Sequence, residues 1–123
     1  MLYPAGADAE SPDVSWSYTG FSMFRKWLAR TEGLAPDAMS GFGGTRPWSD
    51  TATPLAPLLD HADDDGPDLT PGRCAAMLPR LREIAARYEG DTDPAHRRRV
   101  DDVRELIAVL EHCVTHDVGL VFG

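Results

Sequence analysis

Apolar and polar residues in the C-terminal half of the chain recur with the period of an α-helix. From Pro71 to Tyr88 the apolar residues return every three or four positions, which places them on one helix face. Thr70 followed by Pro71 is a helix-start signal, because threonine caps the first turn and proline fits the first helical position. The pattern predicts a helix over 71–88, with Pro79 on its polar side. The predicted core residues are Cys74, Met77, Leu78, Leu81, Ile84, Ala85 and Tyr88.

A second pattern of the same period begins at Asp93-Pro94, again a capping residue followed by proline, and extends to about His116. Both cysteines of the chain, Cys74 and Cys113, belong to or border apolar faces. Buried free thiols are therefore favoured, while a disulfide between them stays open because the sequence gives no distance. The predicted core face of this last helix is Val100, Val103, Leu106, Ile107, Leu110 and Val114, with Cys113 at its margin.

An aromatic helix is predicted in the N-terminal half, with Thr19 as its cap and its end near Glu32, before Gly33. Its apolar face leaves Arg25 on the other side of the helix. The residues of that face are Phe21, Phe24, Trp27 and Leu28. A helical turn starting at Pro36 is predicted to follow.

A further short helix, containing Leu55, Leu58 and Leu59, is predicted to be capped by Asp50 or Thr51.

Short strands are predicted near the two ends of the predicted domain. Residues 14–18 alternate apolar and polar side chains, and Leu120–Phe122 is an apolar triplet after Gly119, so we expect the two to pair. Residues 1–13 have no periodicity and are predicted to be a flexible N-terminal tail, with residues 14–123 as a single helical domain. The predicted fold class is mainly α: three main helices, short helices, and a minor two-strand β ribbon near the termini.

Composition narrows the classes of partner. The 123 residues carry a formal net charge of -8, and such an acidic chain repels the phosphate backbone of nucleic acids. The sequence shows no apolar run long enough to span a membrane and no secretory signal at its start, so we expect a cytoplasmic protein that binds neither nucleic acid nor membrane. Its acidity suits a protein partner with a basic surface.

Residues 60–68 concentrate five carboxylates and one imidazole, the highest density of charge in the chain. The order His61-x-Asp63-x-Asp65-Gly66 resembles the start of a calcium loop, but Gly72 stands where the closing carboxylate belongs. Three interpretations stay open: a solvated loop, a divalent-cation site at His61, Asp63 and Asp65, or a partner-binding surface. The residues of that surface would be Asp60, Asp63, Asp64, Asp65 and Asp68.

His112 and His116 lie one helical turn apart, which is the spacing of a zinc-binding helix. Both fall outside the predicted core face and near the helix end, where the dipole makes histidine common. A zinc site would need a third ligand, for which His61, Asp63 or Asp117 are the candidates. The pattern favours ordinary exposed histidines.

The sequence contains no pairing of a nucleophile with a base and no glycine-rich phosphate loop, which favours a protein without catalytic residues. We therefore expect a non-catalytic cytosolic accessory or regulatory protein that binds a macromolecular partner through an acidic surface. The alternative is a metal-binding protein that uses the His61-Asp63-Asp65 loop. No cofactor other than a divalent cation is expected.

Three segments carry a resemblance to a known family. Residues 18–25 read Tyr-Thr-Gly-Phe-Ser-Met-Phe-Arg, and residues 119–122 read Gly-Leu-Val-Phe. Between them, residues 54–66 read Pro-Leu-Ala-Pro-Leu-Leu-Asp-His-Ala-Asp-Asp-Asp-Gly. Together they resemble a family of small uncharacterised proteins of high-GC Gram-positive bacteria with a His-x-Asp-x-Asp-Gly loop. The resemblance implies a similar fold, and no known activity comes with it.

Overall fold

The computed structural model describes residues 2–6, 8, 10–40, 42–60 and 68–122. It confirms the predicted fold class, because most elements are helices and the two terminal strands form a small antiparallel sheet. The elements in chain order are β1 (Leu2–Pro4), α1 (Tyr18–Thr31), α2 (Ala56–Leu59), α3 (Pro71–Tyr88), α4 (Pro94–His116) and β2 (Leu120–Phe122). Single 3-10 turns lie at Pro36–Ala38 and Trp48–Asp50.

The chain divides into two compact units: unit 1 is Met1–Ser15 with Pro67–Gly123, and unit 2 is Trp16–Gly66. Unit 1 contains both terminal strands and the two long helices, whereas unit 2 contains α1 and α2. The expectation of one domain over residues 14–123 stays a prediction.

Helices α3 and α4 have the predicted bounds, because the cap at each start works as the sequence indicated. The Thr70 hydroxyl accepts a hydrogen bond from the Arg73 backbone N–H at 3.2 Å, and the Asp93 carboxylate accepts one from the Ala95 N–H at 2.9 Å. Each bond satisfies an amide that a helix leaves without an internal partner. The short connection between the two helices makes them antiparallel neighbours in unit 1.

The buried face of α4 differs from the predicted one at its C-terminal end. Val109 and Cys113 are fully buried, whereas Ile107 is half-buried and Val114 is 39% exposed. The cause is that α4 packs against β1 and β2 as well as α3, so its buried face turns toward Cys113 as it nears these strands. The buried residues of α4 are Val100, Val103, Leu106, Val109, Leu110 and Cys113.

The terminal strands pair differently from the prediction. Leu120–Phe122 pairs antiparallel with β1, Leu2–Pro4, and not with residues 14–18; of those, Val14 alone joins, by a bridge to Leu2. Leu2–Pro4 therefore does not belong to a free tail, and Leu2 is 1% exposed. Proline is tolerated at the end of so short a strand, and three residues are too few to show the periodicity on which the prediction of a tail depended.

A bridge from Leu69 to Leu120 adds a fourth segment, so that the order across the ribbon is Val14, β1, β2 and Leu69. We call these four segments the terminal ribbon. Gly119 lies where the chain passes from α4 into β2 of the ribbon, which we call the crossing. The Gly119 carbonyl accepts a hydrogen bond from the Ala5 backbone N–H at 2.8 Å. A Cβ added to Gly119 would lie 2.9 Å from the Leu69 carbonyl oxygen, which is too close for two non-bonded atoms.

In unit 2, helix α1 begins two residues earlier than predicted because Ser17 caps it instead of Thr19. The Ser17 hydroxyl accepts the Gly20 N–H at 2.9 Å. The indole ring of Trp16 stacks on Phe21 and packs on Phe24, with centroids 5.4 and 4.7 Å apart. The predicted cap of α2 is also wrong, since Asp50 ends a 3-10 turn and α2 starts without a side-chain cap.

Arg25 is buried, at 4% exposure, although the helical wheel placed it on the polar side of α1. Its guanidinium lies 4.8 Å from the ring centroids of both Phe21 and Phe42, and Nη1 donates a hydrogen bond to the Leu59 carbonyl at 3.2 Å. A planar guanidinium can stack on aromatic faces while it donates in its own plane. Arg25 thereby links α1 to the end of α2.

A matched pair of substitutions on α4 tests its buried face. Val109→Ala should lower the free energy of unfolding by about 1.5–3 kcal/mol, because it deletes two fully buried methyl groups. Val114→Ala should change it by less than about 0.5 kcal/mol, because the side chain is partly solvated and alanine favours helix. Urea unfolding followed by circular dichroism measures both. Equal losses at the two positions would show that the face of α4 is misassigned.

The crossing at Gly119 is tested by glycine-to-alanine changes. Gly119→Ala should cost about 1–3 kcal/mol, because the new methyl group meets backbone that cannot move without disturbing the ribbon. Gly72→Ala is the control, because the nearest neighbour of a Cβ at this position is 4.0 Å away. This substitution should be neutral or slightly stabilising. Thermal unfolding compares the two variants, and a tolerated alanine at 119 would contradict the close approach.

Candidate functional site

The described residues include only the two ends of the predicted acidic segment. Asp60 ends α2 and is exposed, and Asp68 is exposed next to Leu69 of the terminal ribbon. His61, Asp63, Asp64 and Asp65 lie outside the described residues. The partner-binding surface and the His61-Asp63-Asp65 cation site therefore stay predictions.

The carboxylates of unit 1 differ in whether they have a basic partner. Along α3 and α4, four carboxylate–arginine ion pairs of 2.9 to 3.5 Å form. These pairs are Arg80–Glu83, Arg82–Glu111, Arg99–Asp102 and Arg104–Glu89. Such exposed pairs add little stability, but they balance the charge locally.

Five other carboxylates of unit 1 surround the terminal ribbon and the adjoining end of α4, and we call them the acidic end. All five are exposed, and none forms an ion pair with another described residue. Like charges gathered on one surface raise the local negative potential and attract cations. The acidic end consists of Asp8, Glu10, Asp13, Asp68 and Asp117.

His112 and His116 occupy the same part of unit 1. Their ring centroids are 4.1 Å apart with an interplanar angle of 33°, and His112 is half-buried while His116 is exposed. A cavity of about 590 Å³ opens beside the rings. The carboxylates that line it are Asp8 and Glu10, not the Asp117 that the sequence suggested as a third ligand. Other lining residues are Ala5, Gly6, Ser11 and Val118.

The Asp8 carboxylate is held in place by its own loop. Oδ1 accepts hydrogen bonds from the Glu10 N–H at 2.9 Å and from the Ser11 N–H and hydroxyl at 3.1 and 3.3 Å. These hydrogen bonds hold the pKa of Asp8 below its ordinary value. The bond from the Glu10 N–H has the largest effect and the bond from the Ser11 side chain the next largest, and the charge of His112 acts in the same direction. Asp8 is thus a fixed carboxylate close to an imidazole, and none of these bonds uses Oδ2.

Sequence reasoning missed Asp8 and Glu10 because both lie in the segment interpreted as a tail. One local signal was present: aspartate followed by serine three residues later is typical of a side-chain-stabilised turn. As the side chains stand, no three His, Cys, Asp or Glu residues of the described chain are placed to hold a metal ion together.

Cys74 and Cys113 are both free and fully buried in unit 1. The Cys113 thiol donates a hydrogen bond to the Gly119 carbonyl at 3.6 Å. The contact with Cys74, followed by burial, raises the pKa of Cys113 far above its ordinary range. The thiol form is therefore kept, and a protonated buried thiol is neither a nucleophile nor a metal ligand.

A second cavity, of about 450 Å³, lies at the turn between α3 and α4. Its charges are mixed: Arg97 and Arg104 line it together with Glu89, Asp91 and Asp101. Arg104 is already paired with Glu89 at 3.5 Å. The arrangement favours a balanced polar surface over a site for a charged ligand.

Comparison of the chain with protein-family models, curated proteins and solved structures gives no match. The resemblance to the high-GC bacterial family therefore stays a prediction. Among the described residues, no helix is both long enough and apolar enough to cross a membrane.

The buried thiols give a prediction about reactivity. Native protein at pH 8 should react with a disulfide reagent such as DTNB far more slowly than urea-unfolded protein, because both sulfurs are buried. Thr115→Cys on the exposed side of α4 is the positive control and should react at once. Rapid modification of both native cysteines would contradict their burial.

The raised pKa of Cys113 also fixes the sign of a pH effect. Below the ordinary thiol pKa of about 8.5 its contribution to stability is complete, because both folded and unfolded chains hold the proton. Above that pH the thiol of Cys113 loses its proton in the unfolded chain and keeps it in the folded one, so the contribution of Cys113 to stability should fall as pH rises. Cys113→Ala should show a smaller fall between pH 8 and pH 10.

Proposed function

We propose that this chain is a non-catalytic accessory or regulatory protein of the cytoplasm that binds the basic surface of a protein partner. The binding surface is the acidic end of unit 1, joined in sequence at Asp68 to the acidic segment of residues 60–68. One observation carries the proposal: Glu83, Asp102 and Glu111 of α3 and α4 form internal ion pairs with arginine, whereas no carboxylate of the acidic end has such a partner among the described residues.

Exposed like charges do not stabilise a fold, since they repel one another through water. A basic partner removes that repulsion and is attracted before contact, which raises the association rate. The turn that holds Asp8 keeps one of these carboxylates in a fixed direction, so less side-chain freedom is lost on binding.

A non-catalytic role is supported by the state of the best nucleophiles. Cys74 and Cys113 are free and fully buried. The alternative function, metal binding by His61, Asp63 and Asp65, is still supported by the sequence pattern alone, because these residues lie outside the described chain.

Charge-neutralising variants test the proposal. The triple variant Asp13→Asn, Asp68→Asn, Asp117→Asn removes three charges of the acidic end, and its control, Glu83→Gln, Asp101→Asn, Glu105→Gln, removes three from α3 and α4. A partner enriched from cytoplasmic lysate by the wild type should be kept by the control and lost by the acidic-end variant. With the purified partner, the association rate should fall at least tenfold in the variant and also fall as salt is raised.

A third variant, Asp63→Asn, Asp64→Asn, Asp65→Asn, tests the acidic segment in the same assay and should also weaken binding. All three variants should melt within a few degrees of the wild type, because exposed carboxylates contribute little to stability. Equal binding by the acidic-end variant and its control would contradict the proposed surface. Failure of the wild type to enrich any protein over the acidic-end variant would contradict the function itself.

A further inference from the structure

The histidine pair at the end of α4 has a geometry that the partner proposal does not use. His112 and His116 follow one another by one helical turn, and their ring centroids are 4.1 Å apart. The two rings thus form a tilted stack at the mouth of a cavity that is also lined by Asp8 and Glu10. Two imidazoles and two carboxylates meet here from segments that are about a hundred residues apart in sequence.

The spacing suits a tetrahedral metal ion. Zinc–nitrogen bonds of about 2.0–2.1 Å at a tetrahedral angle place the two ligand nitrogens about 3.3 Å apart. Rings whose centroids are 4.1 Å apart at 33° form a tilted stack, so the two imidazoles must splay to centroids about 5 Å apart before one nitrogen of each points to the same ion. Residues four apart on a helix are held at this range by the backbone itself, so little order has to be gained on binding.

We propose that His112 and His116, together with the Asp8 carboxylate, form a binding site for a divalent first-row transition metal such as Zn²⁺. The two imidazoles form the chelate, and Asp8 is the third ligand through Oδ2, the oxygen not engaged in its own loop. Water completes the coordination shell from the open side of the cavity. The side chains are not yet in ligating positions, so the rings and the carboxylate turn inward when the ion binds.

The ligand set selects the class of cation. Imidazole nitrogens suit zinc, copper and nickel, whereas calcium and magnesium prefer shells made of oxygen. Cysteine does not take part, because the Cys113 thiol is buried on the core side of α4. The turn around Asp8 acts as outer-shell support, since its three hydrogen bonds orient the carboxylate.

Zn²⁺ titration of the full chain by isothermal calorimetry tests the site. The chain has four histidines, so His→Gln at each position separates the candidates. His112→Gln and His116→Gln should each weaken Zn²⁺ binding at least tenfold, Asp8→Asn severalfold, and His96→Gln, on the same helix, not at all. In the wild type, Zn²⁺ should also shift the imidazole NMR signals of His112 and His116 and leave those of His96 in place.

Several outcomes would overturn the proposal. Unchanged affinity in both His112→Gln and His116→Gln would exclude the chelate, and a loss confined to His61→Gln would move the site to the acidic segment. Competition by equimolar Ca²⁺ or Mg²⁺ would exclude imidazole ligands, and full affinity in Asp8→Asn would remove Asp8 from the site. Circular dichroism checks the fold of each variant. If His112→Gln disturbs the fold, the affinity of His116→Gln decides, because His116 is exposed.

Discussion

The fold of unit 1 depends on the terminal ribbon, where four short backbone segments meet. Val14, β1, β2 and Leu69 are joined by hydrogen bonds of 2.8 to 3.1 Å, and each segment is too short to be stable alone. The ribbon holds the N-terminus against the C-terminal end of α4, and the carbonyl of Gly119 fixes the crossing. Everything proposed for unit 1 depends on this pairing, because it brings the loop of Asp8 beside His112 and His116.

The two long helices could be predicted from the sequence because their signals are local. A cap, a proline and a repeat of three and four positions all lie within the helix that they specify, and α3 and α4 have the predicted bounds. Non-local features were not predictable in the same way. The partner of β2 depends on a three-residue strand that ends in proline, and the buried Arg25 depends on Phe42, a residue outside its helix.

The candidate site likewise has a local part, which the sequence predicts, and a non-local part, which it does not. The pairing of His112 with His116 was readable from their spacing, since a helix fixes it. Asp8 and Glu10 could not be assigned to that pair, because their position follows from the pairing of β1 with β2 more than a hundred residues away. The charge pattern of residues 60–68 predicts a binding surface or a cation site, but a pattern of charges in sequence does not give the positions of the side chains.

The proposed partner surface and the proposed metal site share Asp8, so each affects the other electrostatically. The size of the charge–charge energy decides how strongly partner binding and metal binding are coupled. A bound divalent ion adds two positive charges beside Asp8 and so repels a basic partner. At about 10 Å through water, two unit charges interact by about 0.4 kcal/mol, so the ion opposes one partner charge by about 0.8 kcal/mol, roughly a fourfold change in affinity. Salt reduces this energy further, since the Debye length is about 8 Å at physiological ionic strength.

Coupling between two binding sites is reciprocal, so the partner weakens metal binding by the same factor. Because that factor is smaller than the tenfold losses expected from removing a ligand or a binding surface, the metal site and the partner surface can be tested separately.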